Sequence, residues 1–238
     1  LLGSSISAIS ATPETLSAED VLGLKLTQLL VQLLSFGAGG FVGAWLGGKL
    51  SDELKINHFP GGKFLFWTGI LIPVSLPCLQ WMLFDAETFQ IPGFPELTRQ
   101  FLQAEEKAEG MLKVLLKEDL FLNLVVVAVV PAICEEIFFR GFLYRNLRKM
   151  MPFMYAVILS GLIFSFMHFQ VLGFIPRAMM GILFALLLEW SGSLWLPVFA
   201  HFTNNAVNAI IAWLALNQIL IPESAIENSQ FVPWWAGL

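Results

Sequence analysis

Glu135 and Glu136 stand inside an apolar run, Cys134-Glu135-Glu136-Ile137-Phe138-Phe139-Arg140, and the apolar stretches that follow carry His168, His201 and Asn205. Ionisable groups are costly in hydrocarbon; where they occur they face a protein interior or a wet cavity and mark a functional site. Residues four apart share a helix face, so His201 and Asn205 project together. Glu136 and Arg140 have the same spacing, with the acid on the N-terminal side, which suits an internal ion pair. Glu135 points about 100° away from Glu136 around a helix. The two acids therefore divide: Glu136 is expected to pair with Arg140, and Glu135 to be free for chemistry.

A carboxylate beside an imidazole in a poorly solvated pocket can act as a general base toward water. An imidazole N–H and an Asn amide can stabilise the oxyanion formed when that water attacks a peptide carbonyl. Glu135 and His168 fit the first task, His201 and Asn205 the second. Pro131, one turn before Glu135, removes a helical hydrogen bond and makes room for water. Other chemistries use the same residues. Glu135, His168 and His201 are sound zinc ligands. Glu/His chains in membranes also move protons, but a proton-coupled carrier is expected to show inverted repeats and broken helices, and no repeat is visible. A non-catalytic peptide-binding or immunity protein would keep the helices without the hydrolysis. Cys134 adjoins Glu135 yet faces another direction, and a cysteine nucleophile needs an imidazole within reach.

The elements that must position these groups are membrane helices. The 238 residues are 57% hydrophobic and 13% charged, against about 25% charged in a soluble domain. Apolar segments of about 20 residues recur at 21–46, 64–84, 120–150, 153–174, 175–190 and 195–221, so an all-α polytopic bundle of about six spans is expected, with the chain starting at Leu1 rather than Met and an earlier span left open. The organisation expected is a connector at 1–20, two spans and an amphipathic segment at 21–118, a four-helix core at 119–221 and a tail at 222–238 with Pro233-Trp234-Trp235. Gly39, Gly43 and Gly47 have the spacing of close helix packing. Pro73 and Pro77 should kink the second span. Residues 96–117 read as an amphipathic helix, at the interface or in solvent. Arg177 and Glu189, at span edges, read as snorkelling residues, and His58 as a loop residue without a role.

Counting at 1.5 Å per residue from a turn at 150–153 places Glu135 and His168 at one depth, with His201 and Asn205 within about a turn of it. Lys49, Lys55 and Lys63, and Arg145, Arg148 and Lys149, fall on one side by alternation, the cytoplasmic one. Net charge is −5 and no basic run is long, which leaves lipid and membrane-associated peptide or protein as partners, and not nucleic acid. Cys78 and Cys134 both lie in apolar segments and form no disulfide framework.

Glu135-Glu136-x-x-x-Arg140, Phe164-x-x-x-His168 and His201-x-x-x-Asn205, in that order on consecutive helices, resemble the three motifs of the CAAX protease and bacteriocin-processing (CPBP) family, which includes the Ras-converting CAAX endopeptidases. The resemblance covers about residues 119–215. It implies an intramembrane endopeptidase in which Glu135 and His168 activate water and His201 and Asn205 form the oxyanion site, with Glu136, Arg140 and Phe164 in support. The implied substrate is a membrane-associated or lipidated chain, and the implied location a bacterial cytoplasmic membrane. The family has carried a metalloprotease label. A metal-free glutamate mechanism is favoured here because His-Glu-x-x-His is absent and Asn205 is a poor zinc ligand but a good donor; zinc stays open, with Glu135, His168 and His201 as its ligands.

Overall fold

The computed structural model describes residues 16–47, 54–117 and 119–219; most of the expected connector and the whole expected tail lie outside them. The described residues contain seven helices and no strand. The protein is an all-α membrane helix bundle. Helix α1 begins at Ala18 because Ser17 and Asp20 form a capping box: the Ser17 hydroxyl accepts from the Asp20 N–H, and the Asp20 carboxylate accepts from the Ser17 N–H at 3.1 Å. It runs Ala18–Val31, widens into a π-helical segment Gln32–Ala38 and resumes over Gly39–Gly47. Helix α2 is Gly62–Gln80 with Pro73 and Pro77 inside it, and α3 is Pro95–Lys117.

Helix α4 starts where the Asp119 carboxylate accepts from the N–H groups of Phe121 and Leu122, which satisfies donors with no partner of their own in a first turn. It spans Leu120–Met150 and contains two π-helical segments, Leu124–Val129 and Ile137–Tyr144, that bracket Glu135 and Glu136. Wide turns of this kind are rare and concentrate at functional sites. Helices α5 (Phe153–Phe166), α6 (Phe174–Ser191) and α7 (Trp195–Leu216) complete the bundle. Gly192, at a left-handed φ of 65°, stops α6.

Four helices are long and apolar enough to cross a membrane: α1, α2, α4 and α6. The two other expected spans fall short for different reasons. Helix α7 has 22 residues, but His201, Thr203, Asn204, Asn205 and Asn208 dilute its apolar character. Helix α5 has 14 residues, about 21 Å of helix against a hydrocarbon core of about 30 Å. The chain leaves it at Met167, where Phe169 takes a positive φ of 55°, and the expected span to residue 174 is instead a turn followed by α6. Side chains satisfy this turn: Ser165 Oγ donates to the Phe174 carbonyl, Arg177 Nη1 to that of Gln170, and Glu105 of α3 accepts from the Leu172 N–H. Non-helical backbone at membrane depth needs such partners.

The N-terminal half packs on the core in two places. Helix α1 meets α4 through Gly37, Gly40 and the expected Gly43: a Cβ on Gly40 would lie 2.7 Å from the Phe138 backbone, while one on Gly39 meets only the edge of the Phe138 ring at 4.0 Å. The π-helical segment just before Gly39 rotates the small-residue face. Helix α3 packs on the bundle at its C-terminal end, where Leu116 is buried against Ala209 and Ala212 of α7, while Glu96, Leu97, Arg99 and Gln100 at its start are exposed.

Candidate active site

Glu135 lies between the two π-helical segments of α4 and is buried. Its Oε1 accepts from Gln32 Nε2 at 2.9 Å, across from α1. Its Oε2 has no hydrogen-bond partner and lies 3.9 Å from His168 Nε2 and 4.0 Å from His201 Nε2. Both separations exceed a hydrogen bond, yet one water about 2.8 Å from each atom of either pair would bridge it. The structure thus brings Glu135, His168 and His201 together from α4, the turn after α5, and α7.

The ring nitrogens facing Glu135 are assigned by what the other nitrogen does. His168 Nδ1 is 2.8 Å from the Phe164 carbonyl, which can only accept, so Nδ1 carries the proton and the neutral ring presents a lone pair at Nε2. His201 Nδ1 donates in the same way to Glu136 Oε1 at 2.8 Å. His201 can therefore offer a proton from Nε2 only in its doubly protonated form, a condition that spacing alone did not reveal.

Glu136 and Arg140 form the expected pair, at 2.8 Å with both side chains fully buried. The pair does more than neutralise itself. Glu136 Oε1 receives both Arg140 Nη1 and His201 Nδ1, and Arg140 Nη2 donates to the Gly181 carbonyl of α6. Phe164 packs among these groups, 4.7 Å from the Arg140 guanidinium, 4.9 Å from the His168 ring and 5.7 Å from that of His201. One carboxylate thus ties α4, α6 and α7 into a single charged core.

Asn205 is placed by Pro131. A proline at 131 has no N–H for the Val127 carbonyl, and that carbonyl accepts from Asn205 Nδ2 at 3.2 Å. Asn205 Oδ1 accepts from Asn204 Nδ2. With its oxygen and one N–H so held, the amide presents its other N–H toward a cavity of about 380 Å³ that Glu135, His168, His201 and Asn205 all line.

Several neighbours differ from expectation. Arg177 is not a snorkelling residue: because α5 ends early, Arg177 falls on the first turn of α6, buried, lining the same cavity and donating to Gln170 Oε1 at 2.7 Å. Glu189 accepts from the Tyr144 hydroxyl at 3.0 Å. The Cys134 thiol packs on Gly37, and Cys134 does not line the cavity. His58 offers its carbonyl to the Ser193 hydroxyl. Gln32 and Asn208 also line the cavity. Gln32 was legible as a polar residue inside an apolar span, the same signal that marked Glu135.

Tetrahedral zinc holds N and O donors at about 2.0–2.1 Å, which sets them about 3.3 Å apart. The Glu135 and imidazole atoms are wider than that, and among the described residues no group of three His, Cys, Asp or Glu side chains is arranged to hold a metal ion. As placed, this donor set does not fit zinc.

Residues 117–207 match the family described as type II CAAX prenyl endopeptidase Rce1-like. This segment is similar to that family. It contains all three motifs and every residue of the imidazole and carboxylate cluster. The chain is also similar to two proteins of Bacillus subtilis (strain 168). It is 31% identical over 90 residues to YdiL, a candidate membrane peptidase, a match that covers 38% of this chain and 37% of that protein. It is 29% identical over 184 residues to YpbD, an uncharacterised protein, covering 76% of this chain and 85% of that one. The chain therefore spans little over a third of the length of the first relative. No solved structure matches it.

Proposed function

We propose that this protein is an intramembrane endopeptidase that hydrolyses a peptide bond of a membrane-associated or lipidated chain. The observation that carries the reading is the unpartnered Glu135 Oε2, set one water's width from two imidazole Nε2 atoms at the wall of a cavity. A water there gives one proton's hydrogen bond to Glu135 and the other to His168 Nε2, which turns its lone pairs toward a substrate. As the water oxygen bonds to the peptide carbonyl carbon, its proton passes to Glu135. The carbonyl oxygen becomes an oxyanion that accepts from Asn205 Nδ2 and from His201 Nε2–H. Collapse breaks the C–N bond, Glu135 returns its proton to the leaving nitrogen, and the second water proton passes from the new carboxyl group to the amine, so the products are a carboxylate and an ammonium.

Charge balance supports the donor role of His201. With Glu135 and Glu136 ionised, Arg140 cationic, His168 neutral and His201 doubly protonated, the buried cluster is neutral. Placing that proton on Glu135 instead also leaves the cluster neutral, the two groups being 4.0 Å apart. Only the first form has both a base and an oxyanion donor.

Every step runs on side chains of this chain, and we propose no metal in it. Purified protein should retain cleavage after exhaustive chelation; one zinc per chain, with activity lost to chelator and restored by zinc, would overturn that. The apolar cavity wall from α2 and α3, with Leu76, Leu79, Leu83, Met111, Leu112 and Leu115, favours a substrate delivered from lipid. The name of the matched family is the support for a prenylated one. A Bacillus relative supports a bacterial cytoplasmic membrane.

The test is comparative sequencing of protein termini in membranes that carry wild type or Glu135→Gln at equal folded levels. New termini that need the carboxylate are expected. A Glu135→Gln variant that cleaves as wild type does would remove the base assignment.

A further inference from the structure

We infer that Gln32, on α1 and outside the Rce1-like segment, is the positioning residue of the Glu135 base; this rests on the hydrolytic reading of the site. The two residues are 103 apart in sequence, yet Gln32 Nε2 donates to Glu135 Oε1 at 2.9 Å with both side chains buried. The orientation of the amide is fixed by chemistry, since only its nitrogen can donate to a carboxylate. No other hydrogen bond to the carboxylate is present among the described residues, so this one sets which oxygen faces the imidazoles.

Two features of α1 bring Gln32 there. It is the first residue of the π-helical segment Gln32–Ala38, and the face that follows it is cut down to glycine. A Cβ on Gly37 would lie 3.1 Å from the sulfur of Cys134, next to Glu135, and one on Gly40 would strike the Phe138 backbone. Helix α1 therefore lies nearly backbone to backbone on the helix that carries the base. A glutamine kept only to satisfy its own amide would have both ends paired. Here Oε1 is buried with no partner while Nε2 serves Glu135, so the amide is spent on the carboxylate. Gln32 itself lines the same cavity as Glu135.

The test uses the full chain in lipid nanodiscs and a synthetic peptide spanning a bond that the termini experiment identifies. Gln32→Met keeps the length of the side chain and removes the donor. It should lower kcat by up to roughly 100-fold, the scale of a misplaced reacting group, with KM little changed. In a Glu135→Gln background the same substitution should cost nothing further, because Gln32 acts through that carboxylate. Full activity of Gln32→Met, or losses that simply multiply in the double variant, would overturn the inference. Gln32→Glu, closer still in shape, should be slow at neutral pH and recover as pH falls and the introduced acid regains a proton to donate. Infrared difference spectra between chains with and without Glu135 isolate its carboxylate band without any turnover. Gln32→Met should shift that band, and an unmoved band would overturn the inference even if no peptide were cleaved. Failure of the hydrolytic reading would look different: Glu135→Gln would cleave as wild type does whatever stands at 32.

Discussion

Helices α1 and α2 are at least as apolar as α6, with α4 more apolar still, but the two pairs face different surroundings. Of the most apolar stretch of each helix, 17% is buried in α1 and 11% in α2, against 44% in both α4 and α6. Leu34, Trp45, Phe66, Trp67 and Val74 point outward from the first pair, where lipid is the solvent. The second pair, with α5 and α7, buries Ala128, Ala132, Ala156, Ala185, Ala200 and Ala209 beside Glu135, Glu136 and Arg140. In a membrane, hydrophobicity does not separate inside from outside, because lipid tails are as apolar as a leucine core; small residues and polar groups do. Helix α1 is lipid-facing along most of its length and becomes interior where Gln32, Gly37 and Gly40 meet α4.

The largest effect that separates these regions should come from Arg140. Arg140→Met leaves Glu136 buried without its cation, a loss of about 3–5 kcal/mol, and folded yield in membranes should fall sharply. Leu34→Ala, on the lipid face of α1 and 68% exposed, should change stability by less than about 0.5 kcal/mol. Thermal melts of both variants in nanodiscs make the comparison, and equal losses would break the division between a lipid-facing pair and a charged core.

Inside the core, function and stability should separate. Asn205→Ala removes a proposed oxyanion donor and should cost on the order of 100-fold to 1,000-fold in kcat. Its structural loss is two hydrogen bonds, to the Val127 carbonyl and from Asn204 Nδ2, about 2 kcal/mol together. Steady-state kinetics beside a melt would show this, and a variant that unfolds while its residual folded fraction cleaves normally would move Asn205 into the scaffold.

Much of this arrangement was readable in advance. Four of the six expected spans match helices of membrane length, and the common depth of Glu135, His168 and His201 follows from helical rise alone. The rest depended on departures from regular helix, which a fixed rise cannot register. The early end of α5 changed Arg177 from a span-edge residue into a cavity residue, and the π-helical segment of α1 brought Gly37 and Gly40 to α4 beside the expected Gly43. The His201–Glu136 contact was hidden for another reason. The i,i+4 rule finds Arg140 on the same helix as Glu136, but no local rule finds an imidazole 65 residues away.

The smallest expected effect tests whether α3 belongs to the core or to the periphery. Glu105 holds the turn between α5 and α6 through the Leu172 N–H, and burial raises its carboxyl above the ordinary value of 4.5, with the Leu172 N–H and Arg177 pulling it back down. The folded chain thus holds this proton more tightly than the unfolded chain does. Its contribution is full below the ordinary value and is lost as pH rises through the raised one. Glu105→Gln keeps an acceptor for Leu172 and removes the titration. Wild-type Tm should therefore fall relative to Glu105→Gln as pH climbs through that window, with no such change below it. Parallel Tm curves would mean that α3 touches the turn without being coupled to it, and would return that helix to the peripheral half of the molecule.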